Sequence, residues 1–269
     1  MAVKKQPKDL SKMSKRLQNK VIRNAILFVL FLIMFIFSVV NLIRWAVYNG
    51  KAENLKDQLI ESSFSEIPKD KYANTRDTKK KNPVDFDTLK DRNTDTVAWI
   101  KIPGTTVDYP VVQTTNNDYY LHKDFDRKYS TCGWIFMDFK NSAKMIDKNT
   151  VLYGHNIKSG IMFADLQKIL DNEIEGDVNI EVYTPYEKLN YKVFSSYMTY
   201  PDDYAIKSNI VDDETQGAFI REMLDRSETI YNLVPYKTDK VLTLSTCDDT
   251  GSQRILIHAV YVGGEIYKY

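Results

Sequence analysis

The sequence predicts a mainly β protein: a closed or nearly closed β-barrel of about eight strands with helical insertions, preceded by N-terminal helices and one transmembrane helix. Three observations predict it. After about residue 84, short β-like runs recur between polar turn signals. Two segments, 161–171 and 213–227, interrupt them with helical apolar spacing. Ahead of both, residues 24–43 (NAILFVLFLIMFIFSVVNLI) hold no charged residue. The 18 Tyr and 12 Phe agree, since aromatic residues favour strands.

The apolar run comes first. Twenty residues at helical rise span about 30 Å, the hydrocarbon thickness of a bilayer. The run is apolar on every face and flanked by Arg23 and Arg44, unlike a buried core helix. It is too long for a signal-peptide core, and no small-x-small cleavage site follows it. Residues 1–23 carry eight Lys/Arg against one Asp, a local +7 in a chain of net +1, so the remainder sums to −6. The basic end therefore belongs in the cytoplasm, with the body outside. That body is not a nucleic-acid binder by charge. The expected organisation is a basic tail (1–23), an anchor (24–43), a stalk with N-terminal helices (44–83) and an extracellular domain (84–269). Within 45–67, Trp45, Val47, Leu55, Leu59 and Ile60 give a loose helical pattern, while 68–83 (PKDKYANTRDTKKKNP) reads as linker.

In the body, VDFDTLKDRN reads as a short helix. The strand-like runs are TVAWIKI, VDYPVVQ, GWIFMD, TVLYGH, DVNIEVYT, LNYKVFSSYMTY, KVLTLSTC and RILIHAVYV. The insertion at 213–227 sets Phe219, Ile220, Met223 and Leu224 on one face.

Two cysteines, Cys132 and Cys247, make neither a disulfide framework nor a zinc cluster, although one extracellular bridge is possible. Cys247 ends one strand and Arg254 opens the next, with six residues between them. An antiparallel hairpin makes them neighbours at one sheet edge. A guanidinium beside a thiol lowers its pKa and can stabilise an oxyanion. The pair alone also fits a small buried cysteine and a surface charge. The histidines add to it. His122 lies in a polar, exposed stretch and His258 inside the last strand, where a structural role is expected. His155 lies at a strand end beside Gly154, where catalytic groups commonly sit. Cys with His is the minimal acyl-transfer pair.

TLSTC (243–247), with an Arg at the head of the next strand, resembles the sortase signature, and LYGHN (152–156) resembles that family's histidine segment. DFDTLKDRNTDTVAWIKIPGTTVDYPVVQ (85–113), NNDYYL (116–121), GWIFMD (133–138) and the helix at 213–227 are similar in order and spacing to class B sortases. The resemblance covers roughly 84–262. It implies a sortase-type barrel and a cysteine transpeptidase, with Cys247 as nucleophile, His155 as general acid/base and Arg254 as oxyanion or substrate-positioning group. It also implies that Asn117, Leu121, Tyr153 and Ser245 line a peptide groove. No metal or organic cofactor is needed. The implied partners are a sorting-motif peptide of secreted proteins, cleaved after Thr through a thioester, and an amine acceptor on peptidoglycan or a lipid-linked precursor. Three rival readings stand beside this one: a pilus-building or mainly hydrolytic sortase, an inactive anchored binding protein, and a papain-like protease. The last places its cysteine at a helix N-terminus, whereas Cys247 is expected to end a strand. Cys132 has no functional role in this reading and is expected to be a buried thiol.

Overall fold

The computed structural model describes residues 15–64, 81–200, 206–247 and 253–267. The chain divides into two compact units, residues 1–47 and 48–269. The described residues of the first unit belong to helix α1 (Lys15–Ser63), long and apolar enough from Leu17 onward to cross a membrane. Its apolar side chains between Val21 and Ile43 are exposed, as suits a surface that lipid covers. Residues 1–14 of the expected basic tail lie outside the described residues.

The second unit begins with the last turns of α1. Ala52, Leu55 and Leu59 are buried, whereas Trp45 and Val47 of the expected pattern are exposed. Phe64 stacks edge-on against Trp99 at 5.1 Å and bridges to Val84. The linker expected at 68–83 lies outside the described residues as far as residue 80. Asn82 then donates to the Thr184 carbonyl. Helix α2 (Phe86–Arg92) starts at Asp85, whose carboxylate accepts from the amides of Asp87 and Thr88.

Eight strands follow: β1 (Thr96–Lys101), β2 (Asp108–Val112), β3 (Phe136–Met137), β4 (Asn149–His155), β5 (Asn179–Tyr183), β6 (Glu187–Thr199), β7 (Val241–Cys247) and β8 (Arg254–Ile266). They close a barrel in the order β1-β2-β3-β4-β7-β8-β6-β5. The β2/β3 and β4/β7 pairs are parallel and the others antiparallel. Each strand falls on one of the eight β-like runs. β8 continues past its run, because a bulge opposite Asn190/Tyr191 carries it through Gly263 and Gly264.

Alternation along β7 and β8 divides their side chains between two clusters. Leu242, Leu244, Ile255, Ile257 and Ala259 join the main core. Val241, Leu256 and Val260 pack with Phe219, Ile220 and Met223 of helix α4 (Asp213–Arg226). Asp212 caps α4 by accepting from the Thr215 amide at 2.8 Å. The helix expected at 161–171 is shorter than its apolar pattern: α3 spans Leu166–Leu170. Met162 has φ of 58°, outside the right-handed region, and its amide donates to the Tyr109 hydroxyl. The Phe163 amide donates to the His155 carbonyl. These tertiary bonds hold Met162 and Phe163 against β2 and β4, and the positive φ at Met162 keeps a helix from starting there.

Candidate active site

The site starts from one strand pairing. β4 and β7 run parallel and in register from Asn149↔Val241 to His155↔Cys247. Parallel neighbours in register end together, so His155 and Cys247 are the paired last residues of adjacent strands. β8 then returns antiparallel, with Ser245 opposite Leu256, and the Ile255 amide donates to the Thr246 hydroxyl at 2.9 Å. Continued to the end of β7, that register sets position 254 opposite position 247. Arg254, half-buried, opens β8 and is also paired with Thr199 of β6. The five residues 248–252 of the connecting loop lie outside the described residues.

His155 is buried. Its Nε2 lies 2.9 Å from the carbonyl oxygen of Leu121, which ends a 3-10 turn at Tyr119–Leu121. A carbonyl only accepts, so Nε2 carries the hydrogen and donates. In the neutral ring Nδ1 is then the acceptor nitrogen. This bond fixes the tautomer and the ring plane.

Two glycines allow close packing here, Gly154 against the Phe163 ring and Gly133 against the imidazole. A Cβ at Gly154 would lie 2.8 Å from the Phe163 ring. At Gly133, where φ is 56°, a Cβ would meet the Tyr120 and Leu121 carbonyl oxygens at 2.6 and 2.8 Å and His155 Cδ2 at 2.8 Å. Sequence reasoning singled out Gly154 and missed Gly133; a Gly at the head of the β-like run GWIFMD was its one signal.

Of the four groove residues that the resemblance implies, Tyr153 and Ser245 form the ladder pair one alternation step before His155↔Cys247. Ser245 is fully buried and Tyr153 nearly so. Leu121 reaches the site through its carbonyl. Asn117, half-buried, is joined to Tyr153 through Asp138, whose Oδ2 accepts from Asn117 Nδ2 at 2.9 Å and from the Tyr153 hydroxyl at 3.0 Å. Asp138 was also missed. A lone acidic residue closing an apolar run gives no sign that it is buried.

A family model described as the sortase domain matches residues 100–262. The chain belongs to the sortase family. The sortase B of Listeria monocytogenes is 35% identical over 170 residues, covering 60% of this chain. The chain spans 65% of the length of that curated relative. Among solved structures, the Staphylococcus aureus sortase B–substrate complex superposes with a TM-score of 0.61 at 34% identity, covering 66% of this chain and 84% of that one. A crystal structure of sortase B complexed with triglycine also has a TM-score of 0.61 at 34% identity, with 66% and 85% coverage.

None of the remaining titratable candidates of this sortase ends β4 or β7 or opens β8. His122 is exposed. His258 is fully buried, with Nδ1 2.9 Å from the Thr243 hydroxyl, and burial pushes its pKa down to about 3. The Cys132 thiol is free and buried and donates to Asn49 Oδ1, which removes the alternative of a bridge to Cys247. Burial pushes that thiol's pKa up.

Proposed function

We propose that this sortase is an extracellular cysteine transpeptidase that cleaves a sorting motif after Thr and joins the carbonyl to an amine of the cell wall. The observation that carries this reading is the in-register end of β4 and β7, which pairs His155 with Cys247 while β8 brings Arg254 to the same rim.

The Cys247 thiolate attacks the Thr carbonyl carbon, forming a C–S bond and pushing the electron pair onto oxygen. Arg254 and a backbone amide near Cys247 hold that oxyanion. Collapse breaks the C–N bond, and His155 Nδ1–H protonates the departing amine. The acceptor amine then attacks the thioester, gives its proton to Nδ1 and displaces the thiolate. Nε2 keeps its hydrogen throughout, tethered to the Leu121 carbonyl. Thiolate and imidazolium must coexist at the start, so a fraction of the enzyme is competent at neutral pH.

The S. aureus relative captured with substrate and the sortase B captured with triglycine support a peptide donor and an amine acceptor. Resemblance to class B favours a motif of the Asn-Pro-x-Thr-x kind. The basic N-terminus favours a single-pass anchor with its N-terminus in the cytoplasm. The test is peptide cleavage by the full chain in detergent, with and without an added amine. Cys247→Ala should abolish turnover, and Arg254→Lys should lower kcat/KM at least about a hundredfold, since an ammonium does not reproduce the guanidinium fork. Wild-type rates from Cys247→Ala would remove this reading. Product masses that ignore the amine would make the enzyme a hydrolase.

A further inference from the structure

We propose that Asp138 is the positioning residue of the peptide groove, acting through Asn117 and Tyr153. The inference rests on the groove reading given above and adds to it a residue that touches no substrate.

Asp138 follows β3 and is only 4% exposed, so its carboxylate is cut off from water. A buried carboxylate needs donors, and this one has three. Oδ1 accepts from the Lys140 amide at 2.9 Å, and Oδ2 accepts from both Asn117 Nδ2 and the Tyr153 hydroxyl. Its backbone is held as firmly. The Asp138 amide donates to the Val151 carbonyl of β4, and its carbonyl accepts from Gln113 Nε2.

The consequence for Asn117 is directional. Its Oδ1 accepts from the Phe139 amide at 3.0 Å while Nδ2 faces the carboxylate, so the amide has one possible orientation. One Nδ2 hydrogen is spent on Asp138, and the other is the group the side chain offers. The Tyr153 hydroxyl spends its hydrogen on Asp138, so toward any further group its oxygen acts as an acceptor. One carboxylate thus sets the polarity of two groove side chains that come from separate elements: the loop after β2 and strand β4.

Asp138→Asn keeps the shape but turns one acceptor into a donor, which forces Asn117, Tyr153 or the Lys140 amide to face a like group. For the full chain in detergent, Asp138→Asn and Asn117→Ala should each raise KM for a sorting-motif peptide about tenfold with kcat within about twofold. The double variant should fall well short of the product of the two single effects, because Asn117 is one of the two side chains through which Asp138 acts. Multiplying effects, or a fall in kcat at constant KM, would overturn the proposal. If thermal unfolding shows that Asp138→Asn does not fold, Tyr153→Phe with Asn117→Ala forms the equivalent cycle. There, sub-multiplicative effects support the shared carboxylate and multiplying effects overturn it. Peptide binding by the same variants in a Cys247→Ala background separates the two readings. Binding that weakens as described, without turnover in wild type, supports Asp138 and removes transpeptidation. Turnover with unchanged binding removes Asp138 alone.

Discussion

At the residue scale, the last strands hold two polar side chains with opposite duties: Arg254 at the rim and His258 in the interior. Thr243 Oγ1 donates to Asn149 Oδ1, which only accepts, so its oxygen must accept from His258 Nδ1–H. Burial among Phe194, Tyr197 and Phe219 keeps the ring neutral. Its folded pKa of about 3 lies below the ordinary value near 6.5. The unfolded chain takes up a proton that the folded one refuses, so stability is full above about pH 6.5 and falls as pH falls toward 3. The expected slope is about 1.4 kcal/mol per pH unit. The carboxylates held low by partners, such as Asp126 beside Arg92, add their loss only near and below about pH 4. Urea midpoints measured from about pH 7 to about pH 4.5 should therefore drop in the wild type, and the drop should flatten in His258→Asn even though that variant starts less stable. The same scale marks the limits of a sequence. The β7–β8 hairpin was readable, because a hairpin is local. His155 beside Cys247 was not, because a parallel pairing between distant strands leaves no mark on either. Gly133 and Asp138 were missed, since their reasons lie in side chains and carbonyls from other segments.

At the element scale, all eight strands and α4 were legible, because alternation or apolar spacing coincided with turn residues at their ends. α3 was overstated, since its apolar spacing at 161–165 serves tertiary bonds rather than a helix. The segment before the barrel was only half legible. Leu55 and Leu59 carried the helical pattern, but the sequence did not decide between a free stalk and a packed helix. Here Tyr48–Ser63 packs: Lys56 donates to the Thr106 carbonyl at 3.1 Å, and Tyr48 stacks edge-on with Tyr129 at 6.0 Å. Each fully buried leucine is worth about 1.5–3 kcal/mol. A fragment beginning at residue 81 should therefore be less stable than one beginning at 48 by at least about 3 kcal/mol, read as the difference in urea unfolding free energy. Equal stabilities would mean that the helix is a passenger.

At the scale of the whole molecule, the anchor and the barrel are separate compact units. The sortase family match lies wholly in the second, and the helix apolar enough to cross a membrane begins in the first. A fragment of residues 48–269 should turn over a free sorting-motif peptide within about twofold of the full chain. It should lose most of its advantage on a substrate tethered to the same vesicle, because confinement to one surface raises effective concentration. Comparing the two substrates at equal bulk concentration reads this directly. Barrel closure was foreseeable from eight strands, but its order was not: β7 inserts between β4 and β8. That insertion makes the closed sheet depend on its own ending: the strand that covers one flank of β4 is the penultimate one, so a chain cut before residue 240 would leave that flank of β4 without its ladder.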